Sequence, residues 1–353
     1  MAAAPQARDP LAALRACEDD GLSRGSVLVL AATHGNERNG AWLLACAEDP
    51  GAPLRQGLPV GRGLDAAGLA VRCGSGNPAA LAANRRYLER DLNRSFSRVL
   101  LQDPSCREQE VGRARQLLEQ HGPSGSSPCL VAVDLHSTTA CMGSCLVIYS
   151  RRPTDLALAA GLQGRLGLPV YLHEGDPAQT GYLVERWPAG VVIEVGPVPQ
   201  GVVQASIVSA TRLALQATLE LLAQARHGAL ALPRQLVLHR HLGSLDLPRD
   251  AAGRPLAMVH PRLQGRDWQP LQPGAPLFLD GEGGTIAYDP ARLEDLPQPP
   301  PLDAPVWPVF INEAAYGEKG IALSLTLREV WQREPTWGPA LQTLARRLEV
   351  EGG

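Results

Sequence analysis

The sequence is poor in lysine, and its charges are close to balanced. Lys319 is the single lysine among 33 basic residues, and 36 acidic residues leave a net charge of −3. The sequence therefore has neither the excess of basic residues typical of a nucleic-acid-binding protein nor an acidic tail. We therefore expect a partner that is a small molecule and not a nucleic acid.

Long apolar runs are also missing. No run approaches the ~18 residues of a membrane span, and residues 1–24 lack the basic and apolar regions of a secretory signal. The seven cysteines are odd in number, scattered, and include no Cys-x-x-Cys pair, which favours reduced thiols. We predict a cytoplasmic protein with no membrane partner. Its 353 residues are enough for a large core and two domains, and a homo-oligomer is compatible with the sequence.

What the sequence does contain is a set of metal-ligand residue types beside apolar runs. His34 and Glu37 follow the apolar run 26–32, and His136 follows the run 129–133. Each run is typical of a buried strand, and residues just beyond strand ends lie where α/β folds bind their ligands. Two imidazoles and one carboxylate can hold zinc and leave a fourth position for water. We predict that these three residues bind one zinc ion per chain.

Three further carboxylates could complete such a site. Glu194 lies in the apolar segment 191–195, where a carboxylate is costly to bury unless it is paired or functional, and it could accept a proton from the water. Asp134 and Asp91 could support the metal histidines through their second ring nitrogens. Alone, each pattern is weak, because a His-x-x-Glu pair is common and His136 could be an ordinary core histidine. Their shared placement favours a metal-assisted hydrolase.

Strand-like and helix-like segments alternate through the first two thirds of the chain. This alternation predicts an α/β fold with a mainly parallel mixed sheet flanked by helices, and a smaller all-β domain after about residue 232. The predicted domains are a leader at 1–25, an α/β hydrolase domain at 26–231, a β-rich domain at 232–326 that completes the pocket, and a helical appendage at 327–353. The predicted strands are 26–32, 69–73, 130–134, 145–149 and 191–195, and the predicted helices are 11–18, 39–47, 107–121, 154–166 and 207–226.

Several short motifs, taken in order, resemble the aspartoacylase family, within the zinc-carboxypeptidase-like group that includes succinylglutamate desuccinylases. The matching segments are His34-Gly35-Asn36-Glu37, Asp91-Leu92-Asn93-Arg94, Asp134-Leu135-His136, Ile193-Glu194-Val195-Gly196-Pro197 and Asn312-Glu313-Ala314-Ala315-Tyr316. Segments 248–250 and 260–271 resemble aspartoacylase more than the desuccinylases. The resemblance implies a zinc-carboxypeptidase-like fold.

The resemblance also implies a role for each matching residue. It implies a zinc-dependent amidohydrolase, with the three zinc ligands named above. Glu194 would act as the general base and then as the general acid, and Arg86 would polarise the scissile carbonyl and stabilise the oxyanion. The substrate carboxylate would be held by three pocket residues, Asn93, Arg94 and Tyr316.

One departure from the family pattern concerns specificity. The family has a further substrate arginine shortly before the glutamate base, whereas Tyr182 stands in that place here and Arg186 is out of register. The leading expectation is hydrolysis of N-acetyl-L-aspartate to acetate and L-aspartate, with weaker discrimination against neutral N-acetyl amino acids than the family implies. The alternative substrates are N-succinylglutamate and N-acyl aromatic or aliphatic amino acids. The alternative function is a non-catalytic metal-binding protein.

Two further signals have both a functional and an ordinary interpretation. Lys319 follows Tyr316 by three residues, so it could be a charge near an anionic substrate, or simply the one lysine left by a coding bias towards arginine. His239 and His241 form a His-x-His pair, which can bind a metal, although alternate residues of a strand also just share one face.

Overall fold

The computed structural model of the protein describes residues 24–48, 67–177, 179–293, 296, 299 and 304–350. The strands are β1 (Ser26–Ala31), β2 (Val71–Ser75), β3 (Cys129–Ser137), β4 (Ser144–Ile148), β5 (Val170–Leu172), β6 (Ala189–Val195), β7 (Gln235–Leu245), β8 (Ala257–Val259), β9 (Pro276–Asp280), β10 (Thr285–Ala287), β11 (Trp307–Val309) and β12 (Leu323–Gln332). The predicted helix 11–18 and nearly all of the predicted leader lie outside the described residues.

Seven α-helices and four short 3₁₀ turns connect these strands within the described ranges. The helices are α1 (Arg38–Glu48), α2 (Pro78–Ala83), α3 (Arg98–Gln102), α4 (Gln109–His121), α5 (Pro153–Leu166), α6 (Ala205–Arg226) and α7 (Trp337–Ala345). The 3₁₀ turns are Leu92–Arg94, Leu183–Arg186, Pro290–Leu293 and Ala314–Lys319.

Nine strands form one mixed sheet in the order β11-β12-β7-β5-β4-β6-β3-β1-β2. The pairs from β2 through β1 and β3 to β6 are parallel, whereas β4 runs antiparallel to β6. The parallel strands β1 and β3 read as near-continuous apolar runs because both of their faces are covered. This arrangement confirms the predicted α/β class with a mixed, helix-flanked sheet.

Side chains of β1 illustrate how the sheet divides the core. Val27, Val29 and Ala31 pack on the face covered by α1, α5, α6 and α7. Leu28 and Leu30 point to the other face, where they join a second apolar cluster with α4. This alternation has the two-residue period of a strand. Because β1, β3 and β6 are parallel neighbours, their carboxyl ends lie together at one edge of the sheet.

The C-terminal region is β-rich, and its long strands continue the main sheet. β7 pairs with β5, β12 pairs with β7, and β11 pairs with β12. The strands β8, β9 and β10 form a separate three-stranded sheet, which packs over an apolar cluster that includes Phe278 and Leu325. No helix in the described ranges is long and apolar enough to cross a membrane.

Apart from shifts of one or two residues at the ends of elements, two sequence-based assignments differ from the structure. Residues 327–332 were predicted as part of a helical appendage, but they belong to β12, and only Trp337–Ala345 is an α-helix in that region. The spacing of Leu327, Val330 and Trp331 suits a helix, yet pairing along the whole of β7 decides the backbone conformation. The strand predicted at 130–134 extends to Ser137, so His136 lies inside a strand and not beyond its end.

Candidate active site

Three buried side chains converge at the carboxyl ends of β1 and β3. His34 and Glu37 belong to the turn between β1 and α1, and His136 is next to last in β3. Nδ1 of His34 lies 2.7 Å from Oε1 of Glu37, and Nδ1 of His136 lies 2.9 Å from Oε2. One ligand atom from each residue lies within 4.8 Å of the others. The structure thus brings together the three predicted zinc ligands, and we call them the first cluster.

A close backbone approach fixes the turn that carries this cluster. A Cβ atom on Gly35 would lie 2.1 Å from the carbonyl carbon of Ala80, which no side chain can tolerate. The Gly35 amide donates to the Arg86 carbonyl at 3.1 Å. Glycine is therefore required here because two backbone segments are in contact. The contact places the loop that bears Arg86 directly against the turn that carries His34 and Glu37.

Carboxylates hold the outer nitrogen of each histidine in the first cluster. Nε2 of His34 lies 3.0 Å from Asp91 Oδ1, and Nε2 of His136 lies 2.8 Å from Asp134 Oδ2. Metal-binding histidines commonly use their second nitrogen in this way, which fixes the tautomer and leaves the other lone pair for the metal. The donor set fits zinc, since both Nδ1 atoms and the Glu37 carboxylate face one another.

The charges within the first cluster favour ionised groups in spite of burial. Burial opposes ionisation of Glu37, but the adjacent His34 and His136 bring its pKa well below the usual range. Burial likewise opposes protonation of His136, but Asp134 and Glu37 raise its pKa well above the usual value. A divalent cation would replace these protons as the positive charge between the same groups.

Glu194 lies beside the first cluster in the neighbouring strand. It is next to last in β6, and its Cα is the ladder partner of His136. Its side chain is buried, and burial, together with the nearby Glu37 and Glu313, raises its pKa well above the usual range against the opposing effect of His136. A carboxyl group with a raised pKa can accept and return a proton near neutral pH.

Two arginines supply the positive charge of the pocket. Arg86 donates to Glu37 Oε1 at 3.2 Å and to Asp91 Oδ2 at 3.4 Å. Arg94 donates to the Asn93 carbonyl at 2.8 Å and to Gln179 Oε1 at 2.9 Å. Both guanidinium groups line the same cavity as the first cluster, so an anionic ligand there would meet two cations.

The predicted substrate residues Asn93 and Tyr316 also line this cavity. The Asn93 side chain accepts from the Leu183 amide at 2.9 Å, which ties the segment around Arg94 to the segment before Glu194. Tyr316 comes from the 3₁₀ turn after β11, and its ring packs 5.3 Å from the Phe310 ring. The C-terminal region therefore contributes a wall of the pocket.

Tyrosine side chains form one wall of the cavity, which we call the tyrosine wall. Tyr182 stacks on Tyr149 with ring centroids 3.7 Å apart, and the Arg94 guanidinium lies 4.2 Å from the centre of the Tyr182 ring. Four of the six tyrosines line the cavity, namely Tyr149, Tyr171, Tyr182 and Tyr316. Sequence reasoning missed Tyr149 and Tyr171, although the scarcity of aromatic residues makes this enrichment a usable signal.

The other two candidate cations lie outside the cavity. Arg186 donates to the Phe96 carbonyl at 2.6 Å. Lys319 donates to Asp91 Oδ2 at 2.8 Å and lies 5.7 Å from the centre of the Tyr316 ring. Within the described residues, the cavity is thus lined by Arg86 and Arg94 as its only arginines or lysines, and Lys319 touches the carboxylate that holds His34.

Glu313 is a further buried residue of the cavity to which sequence reasoning assigned no role. Its carboxylate accepts hydrogen bonds from the Thr138 hydroxyl and from the amides of Thr139, at 2.8 Å, and Ala140, at 3.1 Å. These bonds fasten the turn after β3 to the C-terminal region. The signal was present, because Glu313 lies in one of the family-like motifs, but its partners are not visible from the sequence.

Comparison with known proteins identifies similar sequences and folds. The family model described as the succinylglutamate desuccinylase/aspartoacylase catalytic domain matches residues 23–222, and the model for the barrel-sandwich hybrid domain of the same family matches residues 234–328. A protein of Parasynechococcus marenigrum (strain WH8102) named probable aspartoacylase is 56% identical, over 92% of this chain and 99% of its own length. A protein of the same name from Prochlorococcus marinus (strain MIT 9313) is 54% identical over the same shares.

Solved structures agree with these matches. Murine aminoacylase 3 is 33% identical, covers 88% of this chain and 97% of its own, and has a TM-score of 0.72. A succinylglutamate desuccinylase from Vibrio parahaemolyticus is 15% identical, covers 88% of this chain and 84% of its own, and has a TM-score of 0.53. The second likeness is one of fold alone.

Proposed function

Because the chain belongs to the succinylglutamate desuccinylase/aspartoacylase family, we propose that it is a zinc-dependent amidohydrolase that removes the acyl group from an N-acyl amino acid. The observation that carries this proposal is the position of Glu194 beside a histidine–glutamate–histidine cluster whose histidines are each backed by a carboxylate. A metal site that served only to hold the fold would not need a buried carboxyl with a raised pKa next to it.

His34, Glu37 and His136 would hold the zinc ion. Bound zinc would supply Lewis acidity, activating water and polarising the acyl carbonyl. Glu194 takes a proton from the attacking water, and the water oxygen forms the new bond to the acyl carbon. Glu194 then delivers the proton to the amide nitrogen as the C–N bond breaks, which gives a carboxylic acid and a free amino acid.

Arg86 and Arg94 would each bind a different anionic group, the oxyanion and the amino-acid carboxylate. Arg86 lies against Glu37 and Asp91, so its guanidinium is next to the metal ligands and can donate to the oxyanion, a contribution of roughly 3 kcal/mol per donor in comparable sites. Arg94 lies against the tyrosine wall and can bind the amino-acid carboxylate, with Asn93 and Tyr316 beside it.

The side-chain end of the substrate meets Tyr182 instead of a second arginine. N-acetyl-L-aspartate remains the leading substrate, but its second carboxylate would bind to a phenol, which donates one hydrogen bond and carries no charge, whereas an arginine can donate two charged hydrogen bonds. The stacked rings of Tyr149 and Tyr182 specifically favour a second candidate, an N-acyl amino acid with an aromatic or aliphatic side chain. We therefore expect weak discrimination between N-acetylaspartate and neutral N-acetyl amino acids.

The test is kcat/KM of the zinc-loaded protein for N-acetylaspartate, N-acetylalanine, N-acetyltyrosine and N-succinylglutamate. We expect turnover with a preference for N-acetylaspartate below ~10³, since a larger ratio corresponds to about 4 kcal/mol and requires a second cation in the pocket. Zinc binding without turnover of any of these compounds would instead favour a non-catalytic metal-binding protein.

A pair of variants locates the source of specificity. Tyr182→Arg should raise the preference for N-acetylaspartate by about tenfold, because it exchanges a single neutral donor for a charged donor that can bind a carboxylate through two hydrogen bonds. Arg186→Gln is the matched control and should leave the ratio unchanged, since the Arg186 side chain donates to the Phe96 carbonyl. A fall in the ratio in Arg186→Gln would show that Arg186 reaches the substrate.

A further inference from the structure

A second group of two histidines and one carboxylate lies behind the tyrosine wall. His173 follows β5, Asp176 lies in the next loop, and His241 is in β7. One ligand atom from each lies within 4.8 Å of the others, and none of the three belongs to the motifs that carry the family resemblance. We call them the second cluster. His173 lines the same cavity as the first cluster, whereas Asp176 lines a neighbouring groove. The second cluster therefore lies between the cavity and the groove.

The Nδ1 atoms of both histidines are held by tyrosine hydroxyls. The Tyr171 hydroxyl lies 2.7 Å from His241 Nδ1. The Tyr182 hydroxyl lies 3.1 Å from His173 Nδ1 and 3.4 Å from its Nε2. A partner on one ring nitrogen orients the ring and leaves the other nitrogen for a ligand, as at His241. At His173 the Tyr182 hydroxyl lies near both nitrogens, so this ring must turn before Nε2 can bind an ion. Here the phenols take the place that Asp91 and Asp134 occupy in the first cluster.

The Nε2 atom of His241 is buried and makes no hydrogen bond within the described residues. Its nearest acidic neighbour is Asp176 Oδ2 at 3.5 Å, which is too long for a normal hydrogen bond. A buried ring nitrogen without such a bond is costly. An ion placed between His241 Nε2 and the Asp176 carboxylate would give this ring nitrogen a partner.

The protonation state of His173 suits a metal ligand. Its side chain is buried, and burial, with His241 and Arg94 close by, lowers its pKa well below the usual value. The ring is therefore neutral over the physiological pH range, which is the form that binds metals.

We propose that His173, Asp176 and His241 form a second divalent-cation site, which takes zinc or a similar transition-metal ion through two imidazoles and one carboxylate. This donor set suits zinc, copper and nickel more than magnesium or calcium. The two rings stack at 4.3 Å with an angle of 25°, so one ring must turn for both to point at a single ion. The site binds more weakly than the first cluster, because phenols back its histidines and Arg94 lies nearby.

His239 is the natural control for this site. It is two residues before His241 in β7, but its Nδ1 lies 3.2 Å from the Thr326 hydroxyl, and its ring packs against Trp268 and Trp307. The His-x-His pair seen in the sequence is thus divided in the structure: His241 joins the second cluster, and His239 does not.

The experiment is a calorimetric titration of the chelator-treated full chain with Zn²⁺, with metal content measured after dialysis. We expect two equivalents, the second with a Kd at least ~100-fold weaker than the first, since outer partners of metal histidines change affinity 10–100-fold each. His241→Gln and Asp176→Asn should lose the second equivalent and keep the first. His136→Ala should lose the first and keep the second, and His239→Gln should keep both.

Several results would overturn the proposal. These are a single equivalent in the unaltered chain, or a second equivalent that survives both His241→Gln and Asp176→Asn, or one that disappears in His239→Gln. If His241→Gln fails to fold, Asp176→Asn carries the test, since its loop side chain is only partly buried. The unfolding temperature without zinc shows whether each variant folds, and the readout does not depend on catalytic activity.

Discussion

The first and second clusters contain the same residue types, two histidines and one carboxylate, yet their surroundings differ. Asp91 and Asp134 hold the histidines of the first cluster, whereas Tyr171 and Tyr182 hold those of the second. The anionic backing raises the pKa of His136 against burial, and burial beside cations lowers that of His173. The donor atoms alone therefore do not determine the chemistry of a cluster. The groups behind the histidines set the charge of each cluster, and we expect them to set its metal affinity as well.

The neighbours differ as well. The first cluster has Glu194 in the adjacent strand and Arg86 against its carboxylate. The second cluster has the Tyr182 hydroxyl against His173, and the Arg94 guanidinium lies over the Tyr182 ring. Only the first arrangement combines a proton acceptor with a donor for an oxyanion, so the proposed hydrolysis belongs to the first cluster and the proposed second site would only bind a metal.

The largest expected effect comes from substituting one histidine in each cluster and comparing the two variants. His136→Ala should lose the tightly bound zinc and reduce kcat/KM by at least ~10³, because the metal contributes several kcal/mol to the transition state. His241→Gln should keep the tight zinc and lower kcat/KM by less than about tenfold. Metal analysis and steady-state kinetics on the two variants check this. Full zinc occupancy in His136→Ala would sink the assignment of the first cluster.

The next effect concerns the proton acceptor. Glu194→Gln should retain zinc and lower kcat by at least ~10², the usual contribution of a general acid–base group. Its buried side chain differs from glutamine by one atom and one charge, so packing is preserved. Zinc content and kcat are measured together on this variant. If zinc were lost, Glu194 would be a ligand, and the contrast between the clusters would need a different basis.

A smaller effect tests the backing groups directly. Asp134→Asn should weaken zinc binding at the first cluster by 10–100-fold, or about 1.4–2.7 kcal/mol, because an outer carboxylate raises the basicity of its histidine. Tyr171→Phe should weaken the second equivalent by less than this, since a phenol carries no charge. Competition with a chromophoric chelator measures both. Equal losses in the two variants would remove the proposed distinction between carboxylate and phenol.

The smallest effect is on the pH dependence of stability. Its direction is opposite for Glu194, which lies beside the first cluster, and for His173, which belongs to the second. The folded-state pKa of Glu194 is raised from its ordinary value of 4.5, so its penalty is absent below about pH 4.5 and grows as pH rises towards the folded value. The folded-state pKa of His173 is lowered from 6.5, so its penalty is absent above about pH 6.5 and grows as pH falls.

Removal of each group should therefore stabilise the metal-free protein on opposite sides of the pH range. Glu194→Gln should be more stable than the unaltered chain above pH 4.5, and His173→Gln should be more stable below pH 6.5. Each gain should change by no more than about 1.4 kcal/mol per pH unit. Urea unfolding of the metal-free variants between pH 4 and 9 measures it. A gain for Glu194→Gln that shrinks as pH rises would contradict the burial argument.

The sequence was most informative where function requires a residue type beside a buried strand. Apolar runs locate β1, β3 and β6 in the sequence. The polar residues at the carboxyl ends of these strands lie together because the three strands are neighbours in the sheet. The family resemblance and the α/β class are confirmed by the comparisons and the fold. The catalytic roles of the site residues stay predictions, although the structure brings those residues together.

Contacts between distant segments could not be predicted in the same way. His173 follows β5 and His241 lies in β7. These two strands pair at Tyr171–His239 and Leu172–Arg240, and no local sequence pattern indicates that contact. The hydrogen bonds of Glu313 cross more than 170 residues of sequence. In β12, the helical spacing of Leu327 and Trp331 was misleading because strand pairing with β7 outweighs local preference.

Lys319 has a consequence for the chemical modification of this protein. It is the only side-chain amine in the sequence, so lysine acetylation, cross-linking through a lysine and cleavage by a lysine-specific protease all act at one residue. Burial lowers its pKa, which increases the fraction of nucleophilic amine, and its side chain remains 21% exposed. Acetylation would neutralise the amine that donates to Asp91, and would so weaken the support that this carboxylate gives to His34.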